Sequence, residues 1–151
     1  MRKTIKLSVI SALAFAAGAV QSSSLLYFYD VRPNVLLCLL VVLLFAASDF
    51  LEYAVFLVSG FIGLGYSGGL SKETAILGAV LILAFYVKDY LSESEFLSTI
   101  ALTALTTLLF YLAADFSFIL ENFGRFLLEL AYNVAISSVL WILYPREYEK
   151  K

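Results

Sequence analysis

The chain has 151 residues, a net charge of −2, no histidine and one cysteine, and 62% of it is hydrophobic. Charged residues make up 15%, where about 25% is usual, and mean hydropathy is +0.94, so there is too little polar material to cover a water-facing fold of this size. Imidazole chemistry, Cys/His zinc sites, an intrachain disulfide at Cys38 and, for want of a long basic tract, nucleic-acid binding are excluded.

The apolar residues come in long blocks parted by short charged breaks, which reads as an integral membrane protein with a single transmembrane domain. A helix crossing a hydrocarbon core of about 30 Å needs roughly 20 apolar residues. The blocks lack the alternation of a membrane barrel, and lipid cannot satisfy an open backbone, so the expected fold is all-α, a bundle of six transmembrane helices.

The first span is predicted over Leu7–Leu26. Ser8, Ala12 and Ala16 recur every four residues on it, with Gly18 nearby, and such small faces let helices approach closely. Met1–Lys6 followed by Leu7–Ala19 also resembles a secretory signal, with Ala17-Gly18-Ala19 as a cleavage-like site; the apolar run continues to Leu26, which favours a retained helix. The second, third and fourth spans, Pro33–Ala47, Tyr53–Tyr66 and Glu73–Val87, are short by the length rule, and tilt or burial among the others would accommodate them.

Gly63-Leu64-Gly65-Tyr66-Ser67-Gly68 matches G-x-G-x-x-G with Asp89 beyond it, but the strand and polar-faced helix of a dinucleotide site are missing. The packing reading is preferred: Ser59, Gly63 and Ser67 form a small-residue row. Gly68-Gly69 breaks the helix, Ser71 caps the next one and Glu73 complements its dipole.

The fifth span is predicted over Phe96–Ala114, with Thr99, Thr103 and Thr107 in a row and Asp115 at its end; the sixth covers Phe126–Tyr144. Glu121, Arg125, Glu129, Asn133 and Ser137 stand four apart and form one polar stripe. Arg125 can pair with either carboxylate one turn away. An acid at mid-membrane costs about 2.5–3.5 kcal/mol on insertion scales, so Glu129 should face protein or water. The stripe reads as a satisfied interhelical network or partner contact, with a polar pocket or proton path as the functional alternative. Asp115 is a further candidate for that network. Asp49 with Glu52, and Glu93 with Glu95, read as solvated loop ends or as contacts for a basic cytoplasmic partner. No nucleophile–base set is present, so no catalytic, cofactor-binding or metal-ligating residue is expected, and no enzyme activity.

With the N-terminus inside, Arg2, Lys3, Lys6, Lys88, Arg146, Lys150 and Lys151 fall on the cytoplasmic side against Arg32, Lys72 and Arg125 outside, seven to three. This favours six spans with both termini cytoplasmic. Tyr27, Tyr29, Tyr53, Tyr66, Tyr86, Tyr90, Trp141 and Tyr144 lie near predicted span ends, as interfacial aromatics do.

In this order of features the chain resembles the rod shape-determining protein MreD family. The matching stretches are Gln21-Ser22-Ser23, Val31-Arg32-Pro33-Asn34-Val35-Leu36-Leu37, Ser59-Gly60-Phe61-Ile62-Gly63-Leu64, Leu77-Gly78-Ala79 and Glu129-Leu130-Ala131-Tyr132-Asn133-Val134-Ala135. It departs from the family at Asp49–Tyr53, where a basic residue and glycine are frequent, and at Gly65–Gly68, where an aspartate is common. The resemblance implies a multi-pass protein of the bacterial cytoplasmic membrane, non-enzymatic and without cofactor. It further implies an MreC-type single-span partner and a link between MreB filaments and peptidoglycan synthesis by a RodA-type glycosyltransferase with its penicillin-binding partner. It also implies a fold similar to the substrate-binding S components of energy-coupling-factor vitamin transporters, which supplies the alternative function; Ala12-x-x-x-Ala16 is similar to the motif by which S components dock their transmembrane partner.

Overall fold

The structure, a computed structural model, describes residues 2–23, 31–65, 71–91 and 94–144. The described residues are helical, with α1 Arg2–Ser22, α2 Val35–Ala46, α3 Phe50–Gly65, α4 Lys72–Val87, α5 Glu95–Ala114, α6 Phe116–Glu121 and α7 Phe123–Leu143, and a 3-10 turn at Lys88–Tyr90. No strand occurs among them. Among the described residues three helices are long and apolar enough to cross a membrane, at Thr4–Ser22, Glu95–Ala114 and Phe123–Leu143, while Val35–Ala46 and Phe50–Gly65 are shorter apolar helices.

The centre of the bundle is α2. Its sequence, VLLCLLVVLLFA, has no polar face, and a helix apolar all round is stable only when it is surrounded. Accordingly α1, α3, α4, α5 and α7 all pack on it. Leu36, Leu37, Leu40, Val41 and Leu44 are fully buried, and Tyr53, Phe56, Leu81 and Leu102 close around them.

Helix α1 lies along α3, backbone against backbone. A Cβ placed on Gly63 would lie 2.1 Å from the Phe15 carbonyl oxygen, and one on Gly18 would lie 2.1 Å from that of Gly60. Gly60 faces Ala14 and Gly63 faces Phe15 and Ala19, so the register rises together and the helices run parallel. The buried line on α1 is therefore Ile10, Ala14 and Gly18. Ala12 and Ala16, expected on the packed face, are exposed; the glycines of α3 select the other phase of the alanine run. Ser59 is half-buried and returns its hydroxyl to the Val55 carbonyl of its own helix at 2.8 Å. Ser67 lies outside the described residues, as do the ends of the first and third predicted spans.

Caps move several boundaries. The Asn34 side chain accepts from Leu37 N–H at 3.0 Å, which starts α2 after Pro33. Asp49 Oδ1 accepts from Glu52 N–H at 2.8 Å, and Glu52 Oε2 accepts from Ser48 N–H at 3.0 Å. These two bonds start α3 at Phe50 and give the acidic pair a structural task. Asp115 ends α5 and opens α6, an element the apolar blocks did not predict.

Candidate functional site

The polar residues of α5 and α7 meet in an antiparallel ladder. Thr103 donates to the Ser137 hydroxyl at 2.9 Å, Asn133 Nδ2 donates to the Thr107 hydroxyl at 3.2 Å, and the Tyr111 hydroxyl donates to Glu129 Oε1 at 2.5 Å. Each rung advances four residues on one helix and retreats four on the other, because both helices return the same face every turn or so. Thr99, Thr103 and Thr106 also bond carbonyls of their own helix, Thr103 to Thr99 at 2.8 Å. Glu129, Asn133, Ser137 and the four threonines are all buried. A buried polar group left without a partner costs about 1–3 kcal/mol, so the ladder removes a penalty at each step.

Asn133 joins the ladder to α2. Its Oδ1 accepts from the Asn34 backbone N–H at 2.8 Å, and its carbonyl accepts from the Cys38 thiol at 3.3 Å. From α1, Gln21 Oε1 accepts from Val35 N–H at 2.9 Å. Three amide side chains, Gln21, Asn34 and Asn133, thus hold the start of α2. The helix has 12 residues and so spans about 18 Å, shorter than the roughly 30 Å of a bilayer's hydrocarbon core. The N–H groups at the start of a helix lack partners within it, and here neighbouring side chains supply them.

The other end of α2 is held by cations. Lys88 Nζ donates to the Leu44 carbonyl at 2.8 Å and sits 4.2 Å over the Phe85 ring; Lys6 Nζ donates to the Ala46 carbonyl at 3.4 Å. Positive charge at a helix C-terminus matches its dipole. Burial pulls the Lys88 ammonium below the ordinary lysine range, with Asp89 and Glu95 opposing that shift.

The predicted stripe is divided. Glu129, Asn133 and Ser137 are buried in the ladder, whereas Glu121 and Arg125 are exposed. Glu129 accepts from the Tyr111 hydroxyl, a partner on the neighbouring helix. The division follows from helical geometry: four-residue steps drift around the axis, so a stripe of five cannot stay on one contact. Asp115 does not join the network. It is exposed and accepts from Ser117 Oγ at 2.7 Å and Phe118 N–H at 3.1 Å, and these bonds hold its carboxyl below the ordinary aspartate range. Tyr111 and the lysine caps were missed; Tyr111 continues the series Thr99, Thr103, Thr107 by one further step, and that spacing was the available signal.

Two cavities lie elsewhere. One, of about 290 Å³, is lined by Gln21, Arg32, Asn34, Ser71, Glu73 and Thr74 among others. The second, of about 370 Å³, lies between α3 and α4 and is lined mostly by apolar residues. Arg125, Glu129 and Asn133 line neither. Among the described residues no group of three His, Cys, Asp or Glu side chains is placed to hold a metal.

Comparison of the chain with protein-family models, with characterised proteins and with solved structures finds no match.

Proposed function

We propose that the chain is a multi-pass membrane scaffold of the MreD type. In this reading α1, α2, α3, α4, α5 and α7 cross the bilayer, with both termini cytoplasmic. The bundle receives the single transmembrane helix of an MreC-type protein and so helps couple MreB filaments to peptidoglycan synthesis. The observation that supports it is the convergence of the family-like stretches. Gln21, Asn34 and Asn133 come from three separate stretches, with Asn34 and Asn133 99 positions apart, and they meet at the start of α2. Gly60 and Gly63, from a fourth stretch, make the close contact with α1. Words that match by chance have no reason to assemble at one junction. The exterior is suited to lipid, with Leu51 75% and Ile142 68% exposed.

The alternative, a solute-binding S component, expects an open cavity beside Arg125, Glu129 and Asn133. Glu129 and Asn133 are instead engaged by Tyr111, Thr107 and Asn34, so the scaffold is the better supported reading. Affinity purification of a carboxyl-terminally tagged chain from its native membrane is expected to recover an MreC-type single-span protein. Recovery of a transporter ATPase module, or of no membrane partner at all, would overturn the reading. Accessibility of the tag only after the cell is opened is the expected topology result.

A further inference from the structure

The two cavities share two residues, Ser71 and Thr74, at the start of α4. On one side of this pair the wall mixes polar groups with Leu64, Leu77 and Phe110. Arg32 lines it; its Nη2 donates to the Ser23 carbonyl at 2.7 Å, and its Nε is buried with no hydrogen-bond partner among the described residues. The guanidinium is the cation on this wall, and such a group binds anionic oxygens in a fixed planar geometry. Gln21 and Asn34 also line the cavity, and both commit their side-chain oxygens to α2, which leaves their NH2 groups as donors. Glu73 supplies one carboxylate on the same wall. The set is therefore donors for an anion with a single acid beside them, a match for a zwitterion.

On the other side of Ser71 and Thr74 the wall turns apolar. The groove between α3 and α4 is lined by Phe61, Ala75, Gly78, Ala79 and Ile82. Small residues on α4 keep it open, and a Cβ on Gly78 would already touch the Phe61 ring at 3.0 Å. Ala75, Ala79 and Ile82 are exposed, so the groove opens to whatever surrounds the bundle. A pocket bearing polar groups that adjoins an apolar groove at Ser71 and Thr74 has the form of an amphiphile.

We propose that the two adjoining cavities bind one membrane phospholipid whose headgroup carries an ammonium. The phosphate meets Arg32 with the amides of Gln21 and Asn34, the ammonium meets Glu73, and an acyl chain lies between α3 and α4. The site involves none of the ladder residues and does not depend on which protein the scaffold binds.

The test is native mass spectrometry of the full chain in detergent, with phosphatidylethanolamine, phosphatidylglycerol and inorganic phosphate as probes. A single phosphatidylethanolamine is expected to be retained in preference to phosphatidylglycerol. Arg32→Gln should weaken retention by on the order of tenfold, the value of a charge-assisted hydrogen bond. Ala79→Trp, at an exposed groove position that folding does not need, should weaken it comparably, and Glu73→Gln should abolish the preference between the two lipids. Equal retention by the wild type, Arg32→Gln and Ala79→Trp would overturn the site. So would displacement of the lipid by inorganic phosphate as readily as by more lipid, which would leave a small-anion site only.

Discussion

Asn133 on α7 accepts the backbone N–H of Asn34 at 2.8 Å, and Asn34 in turn accepts the N–H of Leu37 at 3.0 Å. One side chain from the last helix therefore caps the residue that caps the central helix. The start of α2, the least polar segment of the chain, is fixed by its most polar neighbours.

Asn133→Leu removes this acceptor while keeping much of the volume. It leaves the Asn34 N–H without its partner and takes a bond from Thr107. The expected loss is about 1–3 kcal/mol, measured by reversible unfolding in mixed detergent. A loss within about 0.5 kcal/mol, the ordinary range of surface substitutions, would show that the junction carries no weight.

Tyr111 and Glu129 should be energetically coupled through their 2.5 Å bond. Glu129→Leu alone strands the tyrosine hydroxyl; combined with Tyr111→Phe it strands nothing. A double-mutant cycle is expected to give a coupling of about 0.6 kcal/mol, up to roughly 1.7, the range for bonds between membrane helices. Strict additivity would separate the pair.

Two glycines should respond in opposite directions. Gly63→Ala drives a methyl into the Phe15 carbonyl, 2.1 Å away, and must push α1 off α3; about 1–3 kcal/mol of destabilisation is expected. Gly124 has nothing within 4 Å of a new Cβ, so Gly124→Ala should be neutral or add up to about 1 kcal/mol through helix propensity. Thermal denaturation of both variants in one detergent checks the contrast.

Lys88→Met removes the cation from the end of α2 and is expected to cost about 1 kcal/mol, while Lys88→Arg keeps most of the effect. Comparable melting of the methionine and arginine variants would reject a charge-based cap.

The Asp115 carboxyl titrates below its unfolded value, because Ser117 and the Phe118 N–H hold its charged form. A depressed folded pKa means that the contribution is complete above the unfolded aspartate value and disappears as pH falls through the folded one. The Phe118 amide resonance should follow that titration, with its midpoint below the ordinary aspartate pKa, and Asp115→Asn should show no such step. A midpoint at the ordinary value would remove the capping bonds.

Periodicity made the two halves of the ladder readable separately. Glu129, Asn133 and Ser137 stand four apart, and so do Thr99, Thr103 and Thr107. That they face each other depends on how α5 and α7 are turned, and spacing on one helix says nothing of rotation against another. The alanines between Ala12 and Ala19 offer a small face in more than one phase, so only the contact with Gly60 and Gly63 selects Ala14 and Gly18 over Ala12 and Ala16.

Composition determined that this chain is apolar outside, because a surface needs polar atoms in water and this one has too few, and the unbroken apolar blocks determined that it is helical. It also marked which residues are too polar to lie against lipid. The tertiary structure decided where they go: a helix without a polar face has no preferred orientation and cannot satisfy its own ends. The placing of α2 at the centre, and the gathering of Gln21, Asn34 and Asn133 at its start and Lys6 and Lys88 at its end, exist only once the surrounding helices have packed.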